Sequence, residues 1–542
     1  MLGLMQEWPL LIHKIIDFAA IQHPKREVVT RTVEGPIVRT DYAAIHARSK
    51  RVAQKLTREG VKNGDRVATL AWNTARHLET WYGITGIGAI YHTVNPRLFA
   101  EQIVWIMNDA EDKLCFVDLT FVPLLDAIAD KLPTVEKFVV LTDAAHMPAT
   151  KLKNAVAYED WIADVDGDFA WAEFEERTAA GLCYTSGTTG HPKGVLYSHR
   201  SNVLHSLIAS GNDCVPVSPD SSILPVVPMF HANSWGLAFS CPMKGAKMVM
   251  PGARLDGASI YELLETEKVT MTAAVPTVWL MLLAHLQKGG LKLTTLKTVV
   301  IGGSACPPAM IKAFEDDYGI EVRHAWGMTE MSPIGSTGSM KAQMLTRPHA
   351  EVLEVKAKQG WAPFGVEMRI VDGEDKQLPW DGKKFGRLKV KGPAVVESYF
   401  KGAGGHVLDK QGFFDTGDVA TIDPDGYMQI TDRAKDVIKS GGEWISSIDI
   451  ENFAVGHPDI AEAAVIGVAH PKWDERPLLV VVAKEGRTPK AEDVLDFLRP
   501  KIAKWWMPDD MQIVKEIPHT ATGKINKLRL REEFKDYKLP TA

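Results

Sequence analysis

Tyr184-Thr185-Ser186-Gly187-Thr188-Thr189-Gly190-His191-Pro192-Lys193-Gly194-Val195 is the stretch on which the reading of this chain turns. Its first eleven positions hold four hydroxyl side chains besides Tyr184, three glycines and one lysine. Glycines let backbone N–H groups approach a polyphosphate, hydroxyls donate to its oxygens, and Lys193 supplies charge. The spacing G-x-x-x-x-G-K-S/T is absent, so this is not a Walker loop. A Gly/Ser/Thr-rich turn by itself is more often a plain surface turn. The density here, and the apolar run Ala179–Tyr184 that feeds it, argue for a phosphate cradle at the end of a strand.

Working outward, the region from about 25 to 330 alternates strand-sized apolar runs with helix-sized segments. Val67–Trp72, Leu114–Val117, Phe138–Leu141, Val269–Thr272 and Thr298–Ile301 are such runs, several of them closed by Gly or Asp. That alternation predicts layered α/β structure, with ligands collecting at the carboxyl ends of strands. From about 365 the texture changes. VEMRIVD, GRLKVKGP and GYMQITD alternate apolar and polar residues between Asp372-Gly373, Asp381-Gly382 and Asp425-Gly426, which predicts a small antiparallel β module. After Asp432-Arg433 the pattern returns to mixed α+β, with a strand at Ala464–Val468 and a helix near 491–504. The expected fold class is α/β. A large N-terminal domain of layered subdomains plus the β module occupies 1–431, a hinge 432–437, and a small α+β domain 438–542.

Charge is balanced at −6, with no Lys/Arg-rich run, so nucleic acid is excluded as a partner class. The five cysteines are scattered without a C-x-x-C pair, which argues against a disulfide framework or a zinc site. Cys183 and Cys306, beside the motifs, read as buried small hydrophobes. The N-terminal stretch lacks a basic n-region, and Leu11, Ile15 and Phe18 recur at helical spacing, predicting an amphipathic helix rather than a signal peptide. No run approaches about 18 apolar residues, so no transmembrane segment is expected and a cytoplasmic location is.

The loop, with further motifs in order along nearly the whole chain, resembles the signature of the adenylate-forming superfamily of acyl-CoA synthetases, luciferases and peptide-synthetase adenylation domains. HTVNPRL (His92–Leu98), LPVVPMFH (Leu224–His231) and KSGGEWIS (Lys439–Ser446) are similar to bacterial medium- and long-chain fatty-acid–CoA ligases in particular. The resemblance implies two steps on ATP, Mg²⁺ and coenzyme A. A carboxylate attacks the α-phosphorus to give acyl-AMP and pyrophosphate; the thiol of coenzyme A then displaces AMP. In HAWGMTEMSP, Glu330 resembles the carboxylate that holds Mg²⁺ together with Thr185, and Thr329 a phosphate-contacting hydroxyl. Ala325, Trp326, Gly327 and Met328 join Gly303, Ser304 and Ala305 around the nucleotide, Trp326 standing where the family usually has Tyr and offering an indole face to adenine. Asp418 in FDTGDVA resembles the acceptor for the ribose hydroxyls, and Arg433 its partner.

Lys524, in IPHTATGKINK, resembles the lysine that reaches the carboxylate and α-phosphate during adenylation. Lys524, Thr185, Glu330 and His231 form the expected catalytic set. Thr185, Ser186, Gly187, Thr188, Thr189, Gly190, Lys193 and Lys524 complete the expected ATP contacts. The small domain also carries the expected coenzyme A channel, Lys439, Gly441, Gly442, Glu443 and Trp444, so it and Lys524 must take turns at one site, and the resemblance implies rotation of the domain about Asp432 and Lys435 between steps. Glu475 in KWDERP faces either nucleotide or coenzyme A. The expected acyl pocket comprises His231, Trp235, Gly302, Gly303 and Gly327, with Trp235 as its gate. Medium-chain fatty acids lead as substrates and long chains follow; 3-methylthiopropionate or another short acid is the alternative, and loading of a carrier protein ranks last. The subgroup also implies a homodimer formed through N-terminal segments.

Overall fold

The computed structural model describes the chain except Leu2, residues 186–190, Gly442 and residues 520–524, and except the side chains of Glu443 and Trp444. Among the described residues the apolar runs assemble into two large sheets. One has seven strands in the order Val156–Ala157, Lys137–Val140, Leu114–Val117, Arg66–Leu70, Ile90–Thr93, Ala179–Tyr184 and Gly194–Ser198. All neighbours are parallel except the last pair. Leu114–Val117 and Ile90–Thr93 are buried along their whole length, as parallel strands covered on both faces must be.

The other sheet has eight strands, ordered Ile334–Thr337, Glu321–Gly327, Thr298–Ile301, Met271–Ala274, Ser222–Pro225, Lys247–Met250, Glu27–Arg31 and Ile37–Asp41. Only the pairs at its two ends are antiparallel. The chain visits this sheet first, leaves it to build the seven-stranded one, and returns. Periodicity marks a strand but not the sheet it joins, so the division of the strands between these two sheets comes from the structure.

The β module is an antiparallel meander of Glu367–Val371, Gly386–Lys391, Phe414–Ile422 and Met428–Arg433. Asp425-Gly426 makes the last turn, with Gly426 N–H donating to the Asp423 carbonyl at 2.8 Å. Asp432 and Arg433 belong to the final strand, so the passage to the next sheet is made between Arg433 and Ile438. That sheet holds Glu443–Ile445, Ile438–Ser440, Asp474–Ala483 and Ile460–His470, with Asp510–Ile513 parallel to Asp474–Ala483.

Two expectations need correction. The N-terminal helix, His13–Gln22, buries His13, Ile15, Ile16 and Ala19, while Phe18 is 44% exposed because it lies off that stripe. The helix expected near 491–504 ends at Leu498, since Pro500 has no N–H to continue it.

Candidate active site

The phosphate loop leaves one strand and returns in its neighbour. Tyr184 pairs with Gly194 in the ladder, and the next pair continues it: Thr185 N–H donates to the Lys193 carbonyl at 2.9 Å. Lys193 N–H in turn donates to Thr185 Oγ1 at 3.2 Å. Both ends are held by the helix Ala100–Ala110. The Tyr184 hydroxyl donates to Asp109 Oδ2 at 2.6 Å, and His191 stacks on Trp105 at 4.6 Å and 6°. Trp105 and Asp109 escaped the sequence reading because nothing local ties that helix to the loop. Ser186, Gly187, Thr188, Thr189 and Gly190 lie outside the described residues.

The turn carrying Glu330 follows a close backbone crossing. A Cβ at Gly327 would stand 2.1 Å from the Pro333 carbonyl oxygen, so only glycine fits there. The Tyr197 hydroxyl donates to the Thr329 carbonyl at 2.7 Å. Glu330, 7% exposed, accepts the Tyr399 hydroxyl on Oε1 at 2.7 Å, and its carbonyl takes Val396 N–H at 2.8 Å. Lys193 Nζ lies over the Tyr399 ring, 5.0 Å from its centre. Burial and the Glu330 charge together push the Tyr399 phenol above its ordinary range, so it stays a donor. The donor set suits Mg²⁺, a hard ion that takes few protein carboxylates and fills its shell with phosphate and water. Glu330 supplies a buried carboxylate, and among the described residues no cluster of three His, Cys, Asp or Glu offers an all-protein cage.

Asp418 and Arg433 are cross-strand partners in the β module, and that register sets their ion pair at 3.0 Å. Trp326 Nε1–H donates to the other carboxylate oxygen of Asp418 at 3.0 Å. The sequence expectation gave Trp326 only a face for adenine. The structure adds that its polar edge is committed to Asp418 and that its ring covers Gly335, where a Cβ would come within 2.3 Å. Burial pushes the neighbouring Cys183 thiol up, which leaves it a packing residue.

Beyond His231 the backbone makes a left-handed turn. Ala232, Asn233, Ser234, Trp235 and Gly236 have φ of 43°, 57°, 52°, 53° and 81°. For residues with a Cβ this conformation costs roughly 1–2 kcal/mol each. Buried hydrogen bonds enforce it: Tyr91 OH donates to Asn233 Oδ1 at 3.0 Å, and Asn233 Nδ2 to Asn202 Oδ1 at 3.2 Å. The turn lays the Trp235 indole against Gly302, where a Cβ would meet the ring at 3.0 Å. Trp235 and Gly302, far apart in sequence, are thus brought together. His231 is half-buried at the head of the turn; Gly303, Ser304 and Ala305 follow the strand Thr298–Ile301, with Gly303 at φ +84°.

In the C-terminal sheet, Gly441 has φ +59°, and a Cβ there would stand 2.9 Å from the Trp473 ring. The glycine is therefore required by Trp473 whatever passes beside it. Glu475 accepts Lys439 N–H at 2.9 Å, which gives it a place bracing the Lys439 strand. Asp432 accepts Ser447 N–H at 2.8 Å across the expected hinge, and Lys435 is exposed. Lys524, Gly442 and the side chains of Glu443 and Trp444 lie outside the described residues.

The AMP-binding enzyme family matches residues 16–400, and the AMP-binding enzyme C-terminal domain matches residues 449–524. The chain is 50% identical to the 3-methylmercaptopropionyl-CoA ligase of Ruegeria lacuscaerulensis, over 99% of each. It is 46% identical to the medium-chain-fatty-acid–CoA ligase of Ectopseudomonas oleovorans, over 100% of this chain and 99% of that one. Among solved structures, the anthranilate CoA ligase AuaEII in complex with anthranoyl-AMP superposes with a TM-score of 0.83 at 25% identity, covering 96% of both chains.

Proposed function

The chain belongs to the AMP-binding enzyme family, and from that premise we propose that it makes acyl-CoA from an aliphatic acid, medium-chain fatty acids foremost. It is an AMP-forming acid–CoA ligase that uses ATP, Mg²⁺ and coenzyme A. In the first step a carboxylate oxygen bonds to the α-phosphorus as the bond to pyrophosphate breaks. In the second, the thiol sulfur bonds to the acyl carbon and AMP leaves. Two anions meet in the first step, so oriented cations and donors must face the developing charge. Lys193 and the loop amides take the phosphates in this reading, and Asp418, held by Trp326 and Arg433, accepts the ribose hydroxyls. Glu330 and Thr185 hold Mg²⁺, which when bound neutralises phosphate charge. Lys524 serves adenylation, and the domain 438–542 turns about Asp432 and Lys435 to bring Lys439, Gly441 and Gly442 to coenzyme A. The observation that carries the reading is the meeting of Glu330 and Lys193 on either side of Tyr399.

A second reading, a short thioether acid such as 3-methylmercaptopropionate, is favoured by the Trp235 indole lying on Gly302, which shortens any pocket behind it. Thioester formation across a chain-length series decides between the two. Peak activity below about six carbons would sink the fatty-acid assignment, each methylene in an apolar pocket being worth about 1–3 kcal/mol.

We also propose a homodimer and a cytoplasmic location. Leu4, Met5, Trp8 and Ile21 are 90%, 87%, 62% and 72% exposed, an apolar N-terminal surface suited to a second copy. Sedimentation of the Trp8→Asp, Ile21→Glu variant is expected to show monomer against a wild-type dimer; identical sedimentation would remove the dimer. Five free, buried cysteines suit a reducing compartment, and among the described residues no helix is long and apolar enough to cross a membrane. Fractionation of cells tests the location.

A further inference from the structure

Tyr399 lies in the long connection between the strands Gly386–Lys391 and Phe414–Ile422, away from every motif that marks the site. It is 8% exposed, and both of its functional parts face charged groups. Its hydroxyl donates to Glu330 Oε1 at 2.7 Å, and its ring carries Lys193 Nζ at 5.0 Å. The connection is fastened to the Glu330 turn twice more. Val396 N–H donates to the Glu330 carbonyl at 2.8 Å, and Ser332 Oγ donates to the Ala394 carbonyl at 2.9 Å. A tyrosine that merely fills space needs one partner for its hydroxyl and no cation on its face. This one joins a carboxylate and an ammonium from separate segments through two chemically different surfaces.

We propose that Tyr399 is the positioning residue that sets the metal-binding carboxylate and the phosphate-loop lysine in register. The hydroxyl bond ties down Oε1 and leaves Oε2 as the oxygen that would take the divalent ion. The ring face holds the Lys193 ammonium by cation–π attraction, so that it meets the phosphates from a fixed side. The inference rests on reading Glu330 as the carboxylate that holds the divalent ion.

The two surfaces can be removed separately. Tyr399→Phe deletes the hydroxyl and keeps the ring; Tyr399→Leu deletes both. The readout is binding without turnover, using the full chain with α,β-methylene-ATP, Mn²⁺ affinity by electron paramagnetic resonance, and nucleotide affinity in the absence of divalent ion. Tyr399→Phe is expected to weaken Mn²⁺ binding to the nucleotide complex about tenfold while leaving metal-free nucleotide affinity unchanged. Tyr399→Leu is expected to weaken both. Glu330→Gln separates the two levels of the inference. If Glu330→Gln weakens Mn²⁺ binding and Tyr399→Phe does not, the positioning role is overturned while the metal reading stands. If Glu330→Gln leaves Mn²⁺ binding intact, the metal reading falls and takes the proposal with it. Equal loss of metal-free nucleotide affinity in the Phe and Leu variants would overturn the division between hydroxyl and ring. Should the Leu variant fail to fold, the near-isosteric Phe variant carries the metal arm alone.

Discussion

Trp326 shows how one side chain serves a core and a site together. Its ring closes over Gly335 and its N–H holds Asp418, so Trp326→Phe loses packing and leaves a buried carboxylate short of a donor. Urea unfolding is expected to register a loss of about 2–4 kcal/mol, with adenine-nucleotide affinity falling alongside. Unchanged nucleotide affinity would show that the Trp326 bond is not needed to orient Asp418. A second residue gives a pH signature away from the site. Burial pushes the Asp118 carboxyl up to about 7, although Trp72 N–H donates to it at 2.6 Å. The folded chain then holds a proton that the unfolded chain has lost, so this group's contribution to stability is present below about pH 4 and gone above pH 7. Relative to Asp118→Asn, wild-type stability is expected to fall between pH 5 and 7 by up to about 1.4 kcal/mol per unit. Parallel urea midpoints for the two proteins across that range would refute it. Glu330, Asp418 and Arg433 could be named from the sequence because the motifs around them, HAWGMTEMSP and FDTGDVA among them, resemble those of the adenylate-forming superfamily. Tyr399, Trp105 and Asp109 were not, because each reaches its partner only through tertiary contact.

At the scale of elements, the strands were the easiest features to read and the sheets the hardest. Leu114–Val117 and Thr298–Ile301 stand where their apolar runs placed them, since a strand buried on both faces must be apolar throughout. The left-handed turn had no such signal. PMFHANSWG contains one glycine, at the end of five consecutive positive-φ residues, so composition gave no warning of it. Buried hydrogen bonds hold the turn through Asn233, which accepts from the Tyr91 hydroxyl and donates to Asn202 Oδ1. Asn233→Ala is expected to cost about 2–4 kcal/mol in urea unfolding, because two buried partners lose hydrogen bonds and Ala tolerates the left-handed region poorly. Asn233→Gly removes the same bonds but suits the backbone, and is expected to cost less. A Gly variant as unstable as the Ala variant would show that backbone strain is not part of the effect.

Across the whole molecule, the seam between the β module and the last sheet, where the hinge is proposed, is tied by hydrogen bonds. Asp432 takes the Ser447 amide, and Ser446 Oγ donates to the Thr431 carbonyl at 2.5 Å. Rotation about Lys435 would exchange these bonds for others. Lys524→Ala is expected to abolish acyl-adenylate formation from acid and ATP, followed by pyrophosphate release, and to retain conversion of supplied acyl-AMP to thioester. Equal loss of both half-reactions would count against alternation of the domain.

The interleaving of the two large sheets has a further consequence, for how the chain is made. Glu27–Arg31 leaves the ribosome well before its parallel partner Lys247–Met250, whose Met248 stands opposite Val28. At about 5–20 residues per second, the early hairpin waits roughly 10–40 s for that neighbour to be synthesised. The seven-stranded sheet, drawn from residues 66–198, can close in the meantime. Nascent chains stalled before Lys247 should therefore present residues 27–41 to proteases while residues 66–198 are already protected. During synthesis residues 27–41 depend on a segment made later, and a holdase acting on this protein would find its client surface there.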